Sequence, residues 1–405
     1  MVSAEQNKQT ATKGGWLPRQ VVLLSFVSFL NDVASDIVVP LIPILLASVL
    51  AGGPVVLGLI EGVAEAVAAF LKLWSGRHSD RPGSRRKPLV VAGYLLSNVA
   101  RPLIGLAGGW ITVLALRSVD RVGKGIRSAP RDAMIADFAP HDRVGLAFGF
   151  HRALDNAGAV LGGVVAALAL AFLTDSLQAV LLFSALPGLA CLLLIGVGVQ
   201  ESVTAGREVL PGREARPPLA WAALSSRMRR YLAVLGLFTF ARVSETFLVL
   251  RGYELGGGVV ELLLLWSGLN AAKAAGAYPG GMLSDRIGRR WVMIASWTAF
   301  AASFYALCRI ETVAGLWGAT VFYGLFTGMS EGAERALIRD LGTASERGTA
   351  FGWYYLMTGI AAIPAGLAFG LVWQHAGAAL AFSFAAAVAA ASALALLIWV
   401  PRAPR

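Results

Sequence analysis

Apolar stretches of 18 to 28 residues recur along this chain between short polar or glycine-rich breaks. Each is long enough to cross a hydrocarbon core of about 30 Å at about 1.5 Å per helical residue. Lipid offers no partner for a bare backbone N–H or C=O, so an apolar stretch of this length that spans must be helical. Twelve such stretches are legible, at about 20–48, 55–75, 88–107, 110–131, 147–172, 178–199, 231–251, 259–280, 291–308, 313–338, 349–372 and 377–399. They predict an all-α polytopic membrane protein of twelve transmembrane helices. The 57% of hydrophobic and 15% of charged residues agree, since a soluble domain carries roughly a quarter charged.

A net charge of +11 in a soluble protein would suggest nucleic acid, so the placement of the charges matters more than their sum. Lys8, Lys13 and Arg19 precede the first stretch. Arg77, Arg81, Arg85, Arg86 and Lys87 fill the next loop on that side, and Arg286, Arg289 and Arg290 fill another. The intervening loops are nearly free of Lys and Arg, with Arg251 and Arg309 as exceptions. The positive-inside rule then predicts a multi-pass protein of the inner or plasma membrane with both termini cytoplasmic. The even helix count agrees, and no nucleic-acid partner is expected. The first 15 residues are polar and the first apolar stretch is too long for a cleavable signal, so it is expected to stay as a helix. Cys191 and Cys308 lie in apolar stretches and read as buried thiols. No His, Cys or carboxylate cluster has metal-ligand spacing, and no nucleophile or phosphate-loop motif occurs. No metal, cofactor or enzymatic chemistry is expected.

The chain repeats itself. Gly76 to Gly83 matches Gly281 to Gly288 at an offset of 205 residues. The stretch from Arg131 through Asp137 to Gly149 matches Glu334 through Asp340 to Gly352 at 203, and Ser35-Asp36 matches Ser244-Glu245 at 209. Three matches in order at nearly one offset imply duplication. The expected organisation is a cytoplasmic tail at 1–16, a six-helix bundle at 17–200, a cytoplasmic linker at 201–230, a second bundle at 231–400 and a tail at 401–405.

The stretch Gly76-Arg77-His78-Ser79-Asp80-Arg81-Pro82-Gly83-Ser84-Arg85-Arg86-Lys87 resembles the signature loop of the major facilitator superfamily, G-x-L-x-D-R-x-G-R-[RK]. Its mate Gly281-Met282-Leu283-Ser284-Asp285-Arg286-Ile287-Gly288-Arg289-Arg290 is closer still. The resemblance implies two pseudo-symmetric six-helix bundles, alternating access and a monomer. It also implies that the two loops latch the cytoplasmic side when the transporter opens outward. Small Gly76 and Gly281 are expected to allow close helix packing, and Asp80 and Asp285 to receive helix N-terminal amides or a neighbouring helix's Arg. A plain basic loop that sets topology is the alternative. Arg121-Val122-Gly123-Lys124-Gly125 resembles the R-x-x-Q-G motif of drug:proton antiporters, with Lys124 in place of Gln. Gly158 to Gly163 resembles their G-P-x-x-G-G motif, with Ala159 in place of Pro.

Charges inside the apolar stretches mark the expected pathway, because each costs on the order of 2.5–3.5 kcal/mol at a helix centre and so avoids lipid. In the fourth stretch Arg117, Asp120, Arg121, Lys124 and Arg127 fall within an arc of roughly 120°. Asp32, Asp36, Glu61, Glu65 and Asp155 are the candidate counter-charges and proton-coupling acids, since Asp32/Asp36 and Glu61/Glu65 recur at i, i+4. A structural ion-pair network is the alternative role for any of them. Further candidates for the substrate pathway are Asn31, His151, Arg152, Arg242, Glu245 and Lys273, with Asn270, Trp353, Tyr354, Tyr355 and Thr358 as an opposite wall. The function expected is proton-coupled efflux of an amphiphilic compound. A proton-coupled permease for an organic anion or metal chelate is the alternative. A non-transporting receptor or assembly factor is disfavoured, because such a protein would shed its costly buried charges. The expected partners are a small-molecule substrate, protons and membrane lipid.

Overall fold

A computed structural model of the chain describes residues 17–79, 85–140, 143–201, 220–341 and 347–400. Helices build twelve spans within them. α1 runs Arg19–Val38 and resumes as Leu41–Ser48; α2 is Pro54–Ser79, α3 Arg86–Leu103, α4 Trp110–Phe138 and α5 Val144–Phe172. α6 is Leu177–Phe183 followed by Ala185–Gly198, and α7 is Ser226–Ala241 followed by Thr246–Glu254. α8 is Val259–Ile287, α9 Arg289–Leu307 and α10 Val313–Leu341. The stretch Arg347–Trp399 is two helices, α11 and α12, that meet at Gly377, whose φ of 84° ends the first. The fold is the all-α polytopic one expected. Among the described residues seven segments are long and apolar enough to cross a membrane, the last of them being α11 and α12 together. α4, α8, α9 and α10 have the same reach and are more polar. The outer surface suits lipid: Phe172 and Val197 are 80% and 90% exposed, a poor arrangement in water and a neutral one among acyl chains.

Three helices are interrupted. Pro40 cannot donate a backbone hydrogen bond and separates the two parts of α1. In α7 the break at Arg242 to Glu245 leaves Arg242 outside helical geometry, at φ −79° and ψ 66°. Such interruptions free backbone groups and are tolerated inside a membrane only where protein or a cavity receives them.

The packing order repeats. α1 lies on α5 as α7 lies on α11, α2 on α4 as α8 on α10, and α3 on α4 as α9 on α10. The two sets meet along α2 with α11 and α5 with α8. These contacts are backbone-close. A Cβ added to Gly58 would lie 2.1 Å from the carbonyl oxygen of Gly366, and one added to Gly163 would lie 2.3 Å from Ser267 Oγ. Small residues at such crossings permit the dispersion contacts that hold helices together in lipid. Below, the basic end is the one where α2 leads to α3 and α8 to α9; the far end is opposite.

Candidate functional site

The charged face of α4 closes on itself first. Asp120, wholly buried, accepts from Arg101 Nε of α3 at 2.9 Å and from Arg117 Nη1 at 3.2 Å. Arg117 also donates twice to Glu61 of α2, at 3.2 Å each. Arg101 donates to both the backbone and the side-chain oxygen of Asn31, at 3.0 and 2.9 Å. Two guanidiniums and two carboxylates thus cancel in the interior, as buried charges must. The expected residues Asn31, Glu61, Arg117 and Asp120 do meet. Arg101 was missed, although an Arg within the third apolar stretch was signal enough.

The remaining charges of α4 divide. Arg127 turns to α3, where it donates to Ser97 Oγ at 2.5 Å and lies 4.7 Å from the ring centroid of Tyr94. It leaves the cleft, a correction to the single polar face expected. Arg121 and Lys124 stay. Arg121 comes no closer than 3.9 Å to Asp120, and its Nε is buried without an acceptor. Lys124 forms no ion pair or hydrogen bond among the described residues; Arg121, Lys72, Glu65 and Asp32 are the charges that act on it most. Lys72 of α2 was not anticipated, and it faces Tyr355 of α11, 5.9 Å from the ring centroid. Lys72, Lys124, Arg121 and Arg242 are the cations whose charge acts on Glu65, which has no ion pair within 4 Å among the described residues.

The i, i+4 acids take different partners. Asp36 accepts from the indole of Trp266 on α8 at 2.8 Å, and Asp32 accepts from the amide of Asn31 at 2.9 Å. Glu61 also accepts from Ser244, in the break of α7, at 3.3 Å. On α5, Asp155 lies 3.5 Å from His151 Nε2 and 4.0 Å from Arg152, while Arg152 reaches across to Glu331 of α10 at 2.8 Å.

In the second set of helices the break in α7 supplies two anchors. Arg242 pairs with Glu334 at 3.0 Å, and Tyr354 donates to the same carboxylate at 2.6 Å. Glu245 takes Lys273 and the Tyr323 hydroxyl, the latter at 3.1 Å. Asn270 and Thr358 bond to their own helices' carbonyls, and Trp353 packs edge-on against Trp221.

The sequence profile of the Major Facilitator Superfamily matches residues 24–255 and again 246–405. The chain belongs to the major facilitator superfamily. Among its relatives is the uncharacterized MFS-type transporter MJ1317 of Methanocaldococcus jannaschii, 31% identical over 378 residues, covering 92% of this chain and 93% of that one. The multidrug resistance protein MdtH of Photorhabdus laumondii is 33% identical over 131 residues, 32% of each chain. Among solved structures, a D-xylose–proton symporter superposes with a TM-score of 0.75 at 15% identity, covering 95% of this chain and 98% of that one. That likeness is one of fold. As a superfamily member the chain is a multi-pass membrane transporter and not an enzyme.

The superfamily's signature loops carry a duplicated ion pair. Arg86 at the start of α3 bonds Asp137 near the end of α4, and Arg289 at the start of α9 bonds Asp340 near the end of α10. Both residues of the second pair lie 203 positions after those of the first, the offset of the longer repeat. Of this basic run Arg85 was expected to serve the latch, but it is exposed and Arg86 makes the pair. Asp285 approaches Arg289 at 3.4 Å, Arg290 donates to the last carbonyls of α12, and Arg286 is exposed. Gly288 has φ 93°, the left-handed geometry that lets α8 stop and α9 start one residue later. The expected tight packing at Gly281 is absent: a Cβ there would meet nothing within 4 Å, and one at Gly76 would meet only Ala129, at 3.4 Å. Asp80, Arg81 and Gly83 lie outside the described residues.

Proposed function

We propose that this transporter exports a small amphiphilic organic anion in exchange for protons, by alternating access of two bundles at 17–200 and 231–400. The reading rests on one observation. Lys72, Arg121 and Lys124 converge on Glu65, while the neighbouring carboxylates of Glu61 and Asp120 are already engaged by Arg101 and Arg117. Like charges gathered among membrane-spanning helices need a counter-charge, and an anionic cargo supplies it in the cleft. Outward movement is favoured by the partial antiporter motifs around Arg121 and Gly158 and by the local likeness to a multidrug resistance protein.

Asp36 and Asp32 are the proton carriers in this scheme, while the cations around Glu65 keep it ionised. Neither Asp has a cation within 4 Å among the described residues, so each can change charge without breaking an ion pair. Asp36 has the clearest consequence. Its bond to Trp266 joins α1 to α8 between the two halves, and a bond to an ionised acceptor is roughly twice as strong as a neutral one. Protonating Asp36 weakens that tie and favours opening of the far end. The basic loops and both termini are cytoplasmic under the positive-inside rule, and the protein works as a monomer in the cell membrane. The loop pairs Arg86–Asp137 and Arg289–Asp340 then hold the cytoplasmic ends in register as the bundles rock.

Proteoliposomes under an imposed pH gradient test the scheme with matched anionic and cationic fluorescent amphiphiles. Anion movement should collapse with a proton ionophore and fall in Lys124→Gln, while Asp36→Asn and Asp32→Asn should lose the pH dependence. Transport of cations alone, unaffected by Lys124→Gln, would dispose of the anionic cargo. Transport indifferent to the ionophore and to both acid variants would dispose of proton coupling.

A further inference from the structure

Nearer the basic end, α4, α5 and α10 line a second polar cavity, open on one side and of about 290 Å³. Arg131 on its wall is seven residues from the end of α4 at Phe138, which puts the cavity about 10 Å inside the basic end. It is also seven residues along the helix from Lys124, so the cavity is distinct from the Lys72–Arg121–Lys124 cluster. Arg131, Arg152 and Arg335 line it together with His151, Asp132 and Asp155.

The donors here are only partly used. Arg131 bonds Ser28 at 2.8 Å and Asp132 at 2.9 Å, and Arg152 is held by Glu331. Arg335 has no hydrogen bond or ion pair among the described residues, and its side chain is exposed. His151 is 4% exposed, yet neither of its ring nitrogens has a hydrogen-bond partner; Nε2 stops at 3.5 Å from Asp155 Oδ2. A buried imidazole on a cavity wall with both nitrogens unengaged is poised for a ligand, because leaving such groups unpaired is unfavourable.

The repeat supports a built site. A faithful copy of Arg131-Asp132 would place a guanidinium at 334, but the second copy reads Glu334-Arg335. Glu334 serves Arg242 and Tyr354, and the inverted order carries the arginine to the next position, on the wall of this cavity. The first half thereby contributes Arg131 and Arg152, and the second Arg335, to a shared space.

We propose that this cavity is an outer anion station, which binds a carboxylate or phosphate group between Arg131, Arg335 and His151. Guanidinium forks and an imidazole N–H match the planar or tetrahedral oxygens of such groups. The group belongs to a soluble anion passing through the basic end or to the headgroup of an anionic lipid reaching in from the bilayer.

The test uses the purified full chain in phosphatidylcholine nanodiscs, titrated with inorganic phosphate or citrate at constant ionic strength while thermal stability is followed. Binding to the folded state raises stability by mass action. Wild type should be stabilised. Arg335→Gln, an exposed change that leaves the fold intact, should raise the half-saturating concentration about tenfold, the worth of a charge-assisted hydrogen bond. His151→Phe should do the same, whereas Lys124→Gln should keep the response. Absence of stabilisation by either anion in wild type overturns the station. So does a response that survives Arg335→Gln and His151→Phe and vanishes only in Lys124→Gln; that pattern would leave the proposed transport function standing. Loss in the outer variants alone upholds the station even if anion transport fails. Exchanging the lipid for phosphatidylglycerol separates the sources. A headgroup occupant stabilises wild type without added phosphate and does not stabilise Arg335→Gln; a soluble anion leaves both indifferent to the lipid.

Discussion

Replacing Asp120 by Asn isolates the charge of one buried carboxylate at nearly constant shape. In the folded protein Asp120 is the shared acceptor of Arg101 at 2.9 Å and Arg117 at 3.2 Å, and all three side chains are buried. If these were ordinary interhelical hydrogen bonds, two of them in a membrane protein would amount to about 1.2 kcal/mol, at about 0.6 kcal/mol each. Removing one member of a buried ion pair instead costs about 3–5 kcal/mol, because the opposite charge is left uncompensated. Arg117 keeps Glu61, but Arg101 retains only the neutral oxygens of Asn31 and Asn98. The loss in Asp120→Asn should therefore approach the lower figure, about 3 kcal/mol. Adding Arg101→Gln removes the orphaned charge and should recover about 2 kcal/mol of it, a coupling within the range for residues in contact. The assay is a double-mutant cycle of unfolding in mixed detergent micelles. A loss near 1 kcal/mol in Asp120→Asn, or a double variant no more stable than the single one, would refute the account of this cluster as a charge-neutral core.

Two further outcomes probe the moving parts. In Gly58→Ala the new methyl would lie 2.1 Å from the Gly366 carbonyl oxygen, where ordinary contact begins at 3.4 Å, so α2 and α11 must separate by about 1 Å. The far end should loosen, read as faster alkylation of a Gln374→Cys reporter, which lies beside Gly53 there; unchanged labelling would mean that this crossing does not seal the far end. Arg289→Gln should shift the same reporter by breaking the Arg289–Asp340 pair. The swap Arg289→Asp with Asp340→Arg should restore it, and failure of the swap where Arg289→Gln alone matters would show that the arginine acts through another partner.

Much of the architecture was legible because hydropathy and repeat spacing belong to single segments. The spans needed extension mainly at the basic end, where α4 and α8 run seven residues past their apolar cores, to Phe138 and Ile287. Polar residues continue a helix there once neighbouring helices receive their hydrogen bonds. The candidate site was legible residue by residue but not pair by pair. The i, i+4 spacing put Glu61 beside Glu65, yet one is locked to Arg117 and Ser244 while the other has no ion pair of its own among the described residues. Arg86 shows the same limit. Its bond to Asp137 joins two helices, so it belongs to the fold, and only that bond makes it the counterpart of Arg289 at the 203-residue offset.

By itself the sequence determined that the chain crosses a membrane many times, that it arose by duplication, and that α4 carries the charge. Those properties need only chain length, composition and periodicity, which survive any rigid rotation of a helix about its axis. Tertiary structure alone decided which charges cancel and which remain. Arg101 claims Asp120, Arg127 turns away to Tyr94, and Lys72 joins Arg121 and Lys124 in the cleft. An ion pair belongs to two helices at once, and its existence depends on their rotation and spacing to within about 1 Å, which no single segment encodes.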